Sequence, residues 1–265
     1  MHVPFPVPLP SLPPIWMESR VWLEAVSLRR SEVWRGEGLA SGADRPVLLI
    51  PGFLAGDGSL GTMTGWLRRA GYRTTRAGIR ANVGCSELIC LKLEQRLEEM
   101  AQLHGQRVAI VGQSRGGIFA KALGARRPDL VSGVVTLGSP LLNQLAVHPI
   151  VLAQVGMIAA LGTLSMPGLL SAWCLRGACC EPFRRALADP FPDDVGFLSI
   201  YSRSDGIVDW RSCLDPDADE HVEVRASHIG MSLNTATYRA TARALDSFGA
   251  GMSHPGDATA FAEAA

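Results

Sequence analysis

The stretch VAIVGQSRGG, residues 108–117, decides the fold. Its first half is an apolar run typical of a buried strand, and its second half opens a helical segment. Ser114 lies between the two, flanked by Gly112 and Gly116. A sharp strand-to-helix turn strains the backbone of its central residue, so the flanking positions favour glycine. The pattern predicts that Ser114 stands above a sheet edge at a helix N-terminus, where negative charge is stabilised, and that it acts as a nucleophile.

Short apolar runs alternate with helical segments on both sides of this turn. The alternation predicts an α/β fold with a mostly parallel central sheet flanked by helices. The predicted strands cover residues 47–50, 72–77, 107–111, 130–137, 196–201 and 222–225. The predicted helices cover residues 62–70, 86–104, 117–127 and 234–248, with a further short helix within 16–34.

The composition excludes some classes of function. The 265 residues suffice for one domain with a substantial core. The 25 basic residues are balanced by 25 acidic ones, which argues against a nucleic-acid partner. The segment MHVPFPVPLPSLPPIW, residues 1–16, is broken by prolines and lacks the charged start of a secretory signal. A cytoplasmic location is expected, and secretion stays open because a chain trimmed of its leader would look the same.

Six cysteines are too few for a scaffold built on disulfides. Cys174, Cys179 and Cys180 cluster in CLRGACC, where a turn would bring Cys174 near the other two. Histidines at zinc-ligand spacing do not accompany them, so neither a metal nor any other cofactor is expected. A loop disulfide and simple buried thiols both stay open. Cys85 and Cys90 start a predicted helix and face different sides of it.

Four motifs follow one another along the chain: VLLIPGFLAGD (47–57), VGQSRGG (111–117), SRSDGIVD (202–209) and SHIGM (227–231). With them the chain resembles the α/β-hydrolase superfamily, particularly its bacterial lipase and esterase branch. The resemblance runs from about residue 45 to residue 248. Together the motifs are specific for the fold and its catalytic machinery, and much less so for the substrate.

The resemblance implies a serine hydrolase with a catalytic triad in the chain order nucleophile, acid, histidine. Ser114 is the nucleophile, and His228, between the last predicted strand and the final helix, is the base. Asp205 is the expected acid because it directly follows a predicted strand. Asp209, four residues later, is the competing candidate, with the capping of a loop as its structural alternative.

The resemblance also implies an oxyanion hole made by backbone N–H groups. Carried over, these are the N–H groups of Arg115 and Phe53, with Leu54 less favoured than Phe53. The chain departs from many relatives in having Pro-Gly at residues 51–52 in place of His-Gly, and Gln113 in place of a histidine. For the Arg115 side chain, a salt bridge at the helix start and recognition of a substrate carboxylate or polar head are both open.

Residues 131–175 contain no Asp, Glu, Lys or Arg. Residues 149–170 are long enough to span a bilayer, but a single span would separate Ser114 from its acid and histidine. We therefore expect an apolar helical cap or lid over residues 139–192, between the fourth predicted strand and the acid-bearing strand, which binds an acyl chain. Ordinary core packing is the alternative, and weak contact with a membrane or lipid surface stays open. The expected substrate contacts are Leu54, Leu152 and Met157.

The chain thus divides into a Pro-rich arm and short helix (1–35), a core (36–138 and 193–250), the insertion (139–192) and a tail expected to be disordered (251–265). The expected activity is hydrolysis of small-molecule or lipid esters with apolar acyl groups, through an acyl-enzyme. A thioesterase, an amidase and an acyltransferase would use the same acyl-serine. A binding protein without catalysis is disfavoured because all three triad residue types are present.

Overall fold

The computed structural model describes residues 12–37 and 40–250, and a six-stranded sheet forms its framework. The strands are β1 (Pro46–Ile50), β2 (Arg73–Arg76), β3 (Val108–Gln113), β4 (Val131–Leu137), β5 (Gly196–Tyr201) and β6 (Glu220–Glu223). Their spatial order is β2-β1-β3-β4-β5-β6, and all neighbouring pairs are parallel. The predicted α/β class with a parallel sheet is confirmed.

Helices connect the strands and cover the sheet. The α-helices are α1 (Val21–Arg30), α2 (Glu32–Arg35), α3 (Gly61–Arg69), α4 (Ser86–His104), α5 (Arg115–Arg126), α6 (Pro149–Thr163), α7 (Ala172–Arg176), α8 (Glu181–Ala188) and α9 (Thr235–Ala250). Short 3-10 turns cover Ile15–Arg20, Asp57–Leu60, Ala178–Cys180, Trp210–Cys213 and Ile229–Leu233.

The side chains of β1 divide between two hydrophobic layers. Val47 and Leu49 pack in the layer that contains residues of α1, α2, α3 and α9. Leu48 and Ile50 pack in the layer that contains residues of α4, α5 and α8. Successive side chains of a strand point to opposite faces, so an uninterrupted apolar run can fill both layers.

Some predicted bounds match the structure and others do not. Helix α4 and strand β5 have the predicted ends. The last strand, predicted at residues 222–225, lies at Glu220–Glu223, because the polar residues EHVE pair with β5 from Glu220 onward. The predicted short helix within 16–34 divides into a 3-10 turn, α1 and α2. Residues 1–11 of the arm and the predicted tail lie outside the described residues.

The predicted insertion at 139–192 contains α6, α7 and α8. Phe183 of α8 packs against Phe119 of α5, with 5.3 Å between ring centroids. Phe183 and Ala186 are buried in the layer that covers α4 and α5. Helix α8 therefore packs as part of the core layer.

The turn at Ser114 has strained backbone geometry. Ser114 has φ 53° and ψ −122°, and its N–H donates to the carbonyl oxygen of Leu137 at 2.8 Å. A Cβ on Gly116 would lie 2.1 Å from the carbonyl oxygen of Ile50, and one on Gly112 would lie 2.3 Å from that of Gly116. Glycine at both positions lets β1, β3 and α5 approach closely enough to hold the turn.

We predict that Gly116→Ala destabilises the protein by about 1–3 kcal/mol, because the added methyl group meets backbone that cannot move aside cheaply. Gly65→Ala is the matched control: an added Cβ in α3 meets only the Arg69 side chain, at 3.8 Å. That change should stabilise the helix by up to about 1 kcal/mol. Urea unfolding followed by circular dichroism measures both, and equal unfolding midpoints would contradict the close-approach argument.

Candidate active site

A cavity of about 480 Å³ opens at the edge of the sheet where the parallel strands have their carboxyl ends. Ser114, directly after β3, and His228, in the loop after β6, both line it. Asp205 lies in the loop after β5 and contacts His228. Loops that leave neighbouring parallel strands converge at this edge, which is where open α/β sheets bind ligands. The fold thus brings the three predicted residues together.

Asp205 and His228 form a buried hydrogen-bonded pair. The distance from His228 Nδ1 to Asp205 Oδ2 is 2.7 Å, and the residues are 7% and 2% exposed. The other oxygen of Asp205 accepts from the N–H groups of Ile207 and Val208, each at 2.8 Å. Because Asp205 engages Nδ1, Nε2 of the ring is left for the cavity side. Asp209 instead accepts from the N–H of Arg211 and caps a 3-10 turn.

The surroundings of His228 favour its charged form. Burial lowers the pKa of the imidazole, but the charge and hydrogen bond of Asp205 and the charge of Glu18 outweigh it. The pKa of His228 is therefore raised above its ordinary value. A base with such a pKa accepts a proton readily and is stabilised once it has done so.

The Ser114 hydroxyl shares the cavity with His228, yet among the described residues no hydrogen bond joins the two side chains. Such contacts are often long before substrate binds and tighten in the reactive complex. Ser114 and His228 nevertheless line the same cavity.

Two backbone segments near Ser114 carry the predicted oxyanion donors. Arg115 begins α5, so its N–H is one of the first-turn N–H groups that have no partner within the helix. Phe53 lies in the loop after β1, where a Cβ on Gly52 would be 3.2 Å from Ser114 Cβ. Phe53 pairs with Asn82 in an isolated parallel bridge, which holds this loop in place. Leu54, the next residue of the loop, has φ 60°, a strained value of the kind found at binding sites.

The Arg115 guanidinium hydrogen-bonds to backbone carbonyl oxygens rather than to a carboxylate. Its guanidinium donates to the carbonyl oxygens of Asn82 and Gly84, at 2.9 and 2.7 Å, and to Ser86 Oγ at 3.1 Å. Burial lowers the pKa of Arg115 to about 10. Within the described residues Arg115 therefore forms no salt bridge, and its role in recognising a substrate carboxylate or polar head stays a prediction.

The histidine loop is held by residues that sequence reasoning missed. Gln113 Nε2 donates to the carbonyl oxygen of His228 at 3.0 Å. Glu18 is 7% exposed, and its Oε1 accepts from the N–H groups of Gly206 and His228, each at 3.0 Å. Its Oε2 accepts from the N–H of Ile229 at 3.0 Å. One carboxylate thus links the loop that carries the acid to the loop that carries the histidine.

A second acidic residue supports the same loop. Glu24 of α1 accepts from the N–H and the hydroxyl of Ser227, both at 2.7 Å. A Cβ on Gly230 would lie 1.4 Å from the Glu24 carboxylate, so the glycine makes room for it. The sequence gives no local signal for either acidic residue, because both act on loops that come near the end of the described chain.

The cavity wall is mainly apolar. Leu54 and Leu152 line it as predicted, but Met157 does not and is 60% exposed. The apolar lining includes Leu54, Val147, Val151, Leu152, Val155 and Leu170. Met157 was misplaced because nearly every residue of α6 is apolar, so its inner face cannot be distinguished by periodicity.

Helix α6 also exposes apolar side chains. Ile150 and Leu161 are exposed together with Met157, as is Leu164 directly after the helix. In the part of the chain that the structure describes, no helix combines the length and the apolarity needed to cross a bilayer.

Comparison with solved structures identifies the fold. The mature lipase BlEst2 of Bacillus licheniformis is 16% identical, with a TM-score of 0.57 over 78% of this chain and 94% of that one. A monoacylglycerol lipase of Paleococcus ferrophilus is also 16% identical, with a TM-score of 0.57 over 79% and 97%. A metagenomic carboxyl esterase is 14% identical, with a TM-score of 0.55 over 95% of both chains.

These proteins are α/β-hydrolase fold enzymes, and the chain has the α/β-hydrolase fold. No family model matches the sequence. The resemblance inferred from the motifs is therefore confirmed at the level of the fold.

We predict that Glu18→Gln lowers the pKa of His228, because the charge that helps to raise it is removed. Glu24→Gln is the matched control, since it loosens the same loop without removing a charge that acts on the imidazole. NMR titration of the His228 ring measures the effect. Wild type and Glu24→Gln should titrate above the ordinary value of about 6.5, and Glu18→Gln should titrate lower. An unchanged pKa in Glu18→Gln would contradict this role.

Proposed function

We propose that the protein hydrolyses carboxylic esters with apolar acyl groups, using Ser114, His228 and Asp205. The observation that carries the proposal is the single apolar cavity shared by a strained serine and a histidine paired with a buried aspartate. The structural similarity to lipases and esterases supports the same class of reaction.

The first half-reaction forms an acyl-enzyme. His228 Nε2 accepts the Ser114 proton as Oγ attacks the ester carbonyl carbon. The imidazolium is stabilised by Asp205, and it returns the proton to the departing alcohol. The raised pKa of His228 favours the protonated intermediate in this step.

The N–H groups of Phe53 and Arg115 are the proposed donors to the oxyanion. Arg115 directly follows Ser114 at the start of α5, and Phe53 follows Gly52, which packs against Ser114, so both residues are close to the proposed nucleophile. Preorganised donors of this kind are each worth about 10²–10³ in rate.

The second half-reaction releases the acid. A water molecule loses its proton to His228 and attacks the acyl carbon, and Ser114 recovers its proton as the bond to the acyl group breaks. If a thiol ester, an amide or a second alcohol replaced the ester or the water, the same groups would act. The thioesterase, amidase and acyltransferase alternatives therefore differ from the proposed esterase only in the substrate or the acceptor.

An acyl chain is the proposed occupant of the cavity. Its volume, about 480 Å³, falls in the usual range for small-ligand sites. Residues of α6 and the segment before it supply much of the apolar wall. We propose that α6 and α7 form the cap over the site, and that α8, which packs against α5, belongs to the core.

We predict that wild type cleaves p-nitrophenyl esters, with a preference for medium or long acyl chains over acetate. Ser114→Ala should abolish the reaction, since loss of a triad serine costs on the order of 10⁶ in kcat. Initial rates from acetate to palmitate measure both.

A serine-reactive fluorophosphonate probe distinguishes failure of the serine mechanism from failure of the ester substrate. Wild type that cleaves no ester and does not label would refute the serine mechanism. Labelling of Ser114 without ester cleavage would refute only the ester, and thioesters, amides and acyl transfer would then be assayed.

We predict that Leu152→Trp lowers kcat/KM for long-chain esters by about 10-fold or more relative to acetate, because the indole fills space that the chain needs. Met157→Trp, on the exposed side of the same helix, is the matched control and should keep the wild-type preference. Chain-length profiles measured side by side test this. An identical shift in both variants would contradict an acyl chain bound against α6.

A further inference from the structure

Four cysteine side chains converge beside the cavity. The Sγ atoms of Cys85, Cys174, Cys179 and Cys180 all lie within 4.8 Å of one another. Cys85 precedes α4, Cys174 lies in α7, and the other two belong to the 3-10 turn Ala178–Cys180. Cys174, Cys179 and Cys180 are close in the sequence, whereas Cys85 joins them only in the folded structure.

The spacing of the sulfur atoms suits tetrahedral coordination. Four thiolates bound at about 2.3 Å from one metal ion have sulfurs about 3.8 Å apart. The Sγ distance is 3.3 Å between Cys85 and Cys180 and 3.8 Å between Cys179 and Cys180. A disulfide would instead join its two sulfurs at about 2.05 Å, whereas all four cysteines are free thiols in the structure.

The charge next to the cluster also suits a metal thiolate centre. The partly buried Arg115 guanidinium bonds to Gly84 and Ser86, the two neighbours of Cys85. No carboxylate forms a salt bridge with Arg115 within residues 12–37 and 40–250. A metal ion held by four thiolates carries net negative charge, which would give this cation a counter-charge.

We propose that Cys85, Cys174, Cys179 and Cys180 bind one thiolate-preferring metal ion, with Zn²⁺ the best fit to a tetrahedral set of four sulfurs. On binding, each thiol releases its proton to solvent as its sulfur–metal bond forms. Four protein ligands leave no open coordination position, so the ion would have a structural role.

Such an ion would fix one wall of the cavity. Cys174 lines the cavity, as do Ser86 and Arg115 on the core side. Coordination would join α7 and the following turn to the start of α4. This departs from the expectation of no metal, which considered only the three cysteines that are close in sequence.

The test measures metal directly. Protein purified without chelator is analysed for metal by mass spectrometry. Apoprotein, prepared with chelator and reductant, is then titrated with Co²⁺. We expect about one equivalent of bound Zn²⁺, and a cobalt complex with the thiolate charge-transfer band and intense visible bands of a tetrahedral site, lost on addition of Zn²⁺.

Cys85→Ser and Cys179→Ser should weaken Co²⁺ binding by more than about 100-fold, beyond the usual loss from an outer-shell partner. Cys90→Ala removes a buried cysteine outside the cluster and should leave binding unchanged. The wild-type cobalt spectrum reports thiolate ligation even where a variant fails to fold. Reduced, folded wild type without that band would overturn the proposal, as would an unaltered band in folded Cys85→Ser and Cys179→Ser.

Discussion

The arrangement at the edge of the sheet depends on the buried carboxylate of Glu18. Parallel strands deliver their loops to a common edge, where Ser202 of the acid loop also hydrogen-bonds to Ala226 of the histidine loop. Glu18 accepts backbone N–H groups from both the acid loop and the histidine loop. Each buried N–H left without an acceptor would cost about 1–3 kcal/mol. The 2.7 Å contact between Asp205 and His228 is thus supported by a residue outside the proposed triad.

The serine side of the site is built differently, from strain and close packing. Ser114 keeps its unfavourable backbone angles because glycines on both sides let β1, β3 and α5 approach each other. Gln113 connects the two sides, since its backbone ends β3 and its side chain holds the His228 carbonyl. The chain has glutamine where many α/β-hydrolases have histidine, and here this residue supports the loop rather than the chemistry.

The sequence pattern predicted those parts of the structure that depend on residues close together in the chain. The buried strands read as apolar runs, and α4 shows helical spacing with Ser86 at its start. Ser114 could be placed because its turn demands glycine at fixed offsets. Glu18, Glu24 and Cys85 could not be found, because their roles arise only when distant segments meet. Strand β6 was displaced because its residues are polar, and Met157 was misplaced because α6 is apolar on every side.

The contacts of Glu18 also bear on the order of events during folding. The pairing of β3 with β4 joins residues about 23 positions apart in the chain, whereas Glu18 meets residues about 190 and 210 positions later. Contacts across such separations carry a larger loop-closure entropy and tend to form later. The sheet and the serine turn can therefore be complete while the histidine loop still lacks its anchor. We therefore expect secondary structure to recover before the histidine loop is ordered.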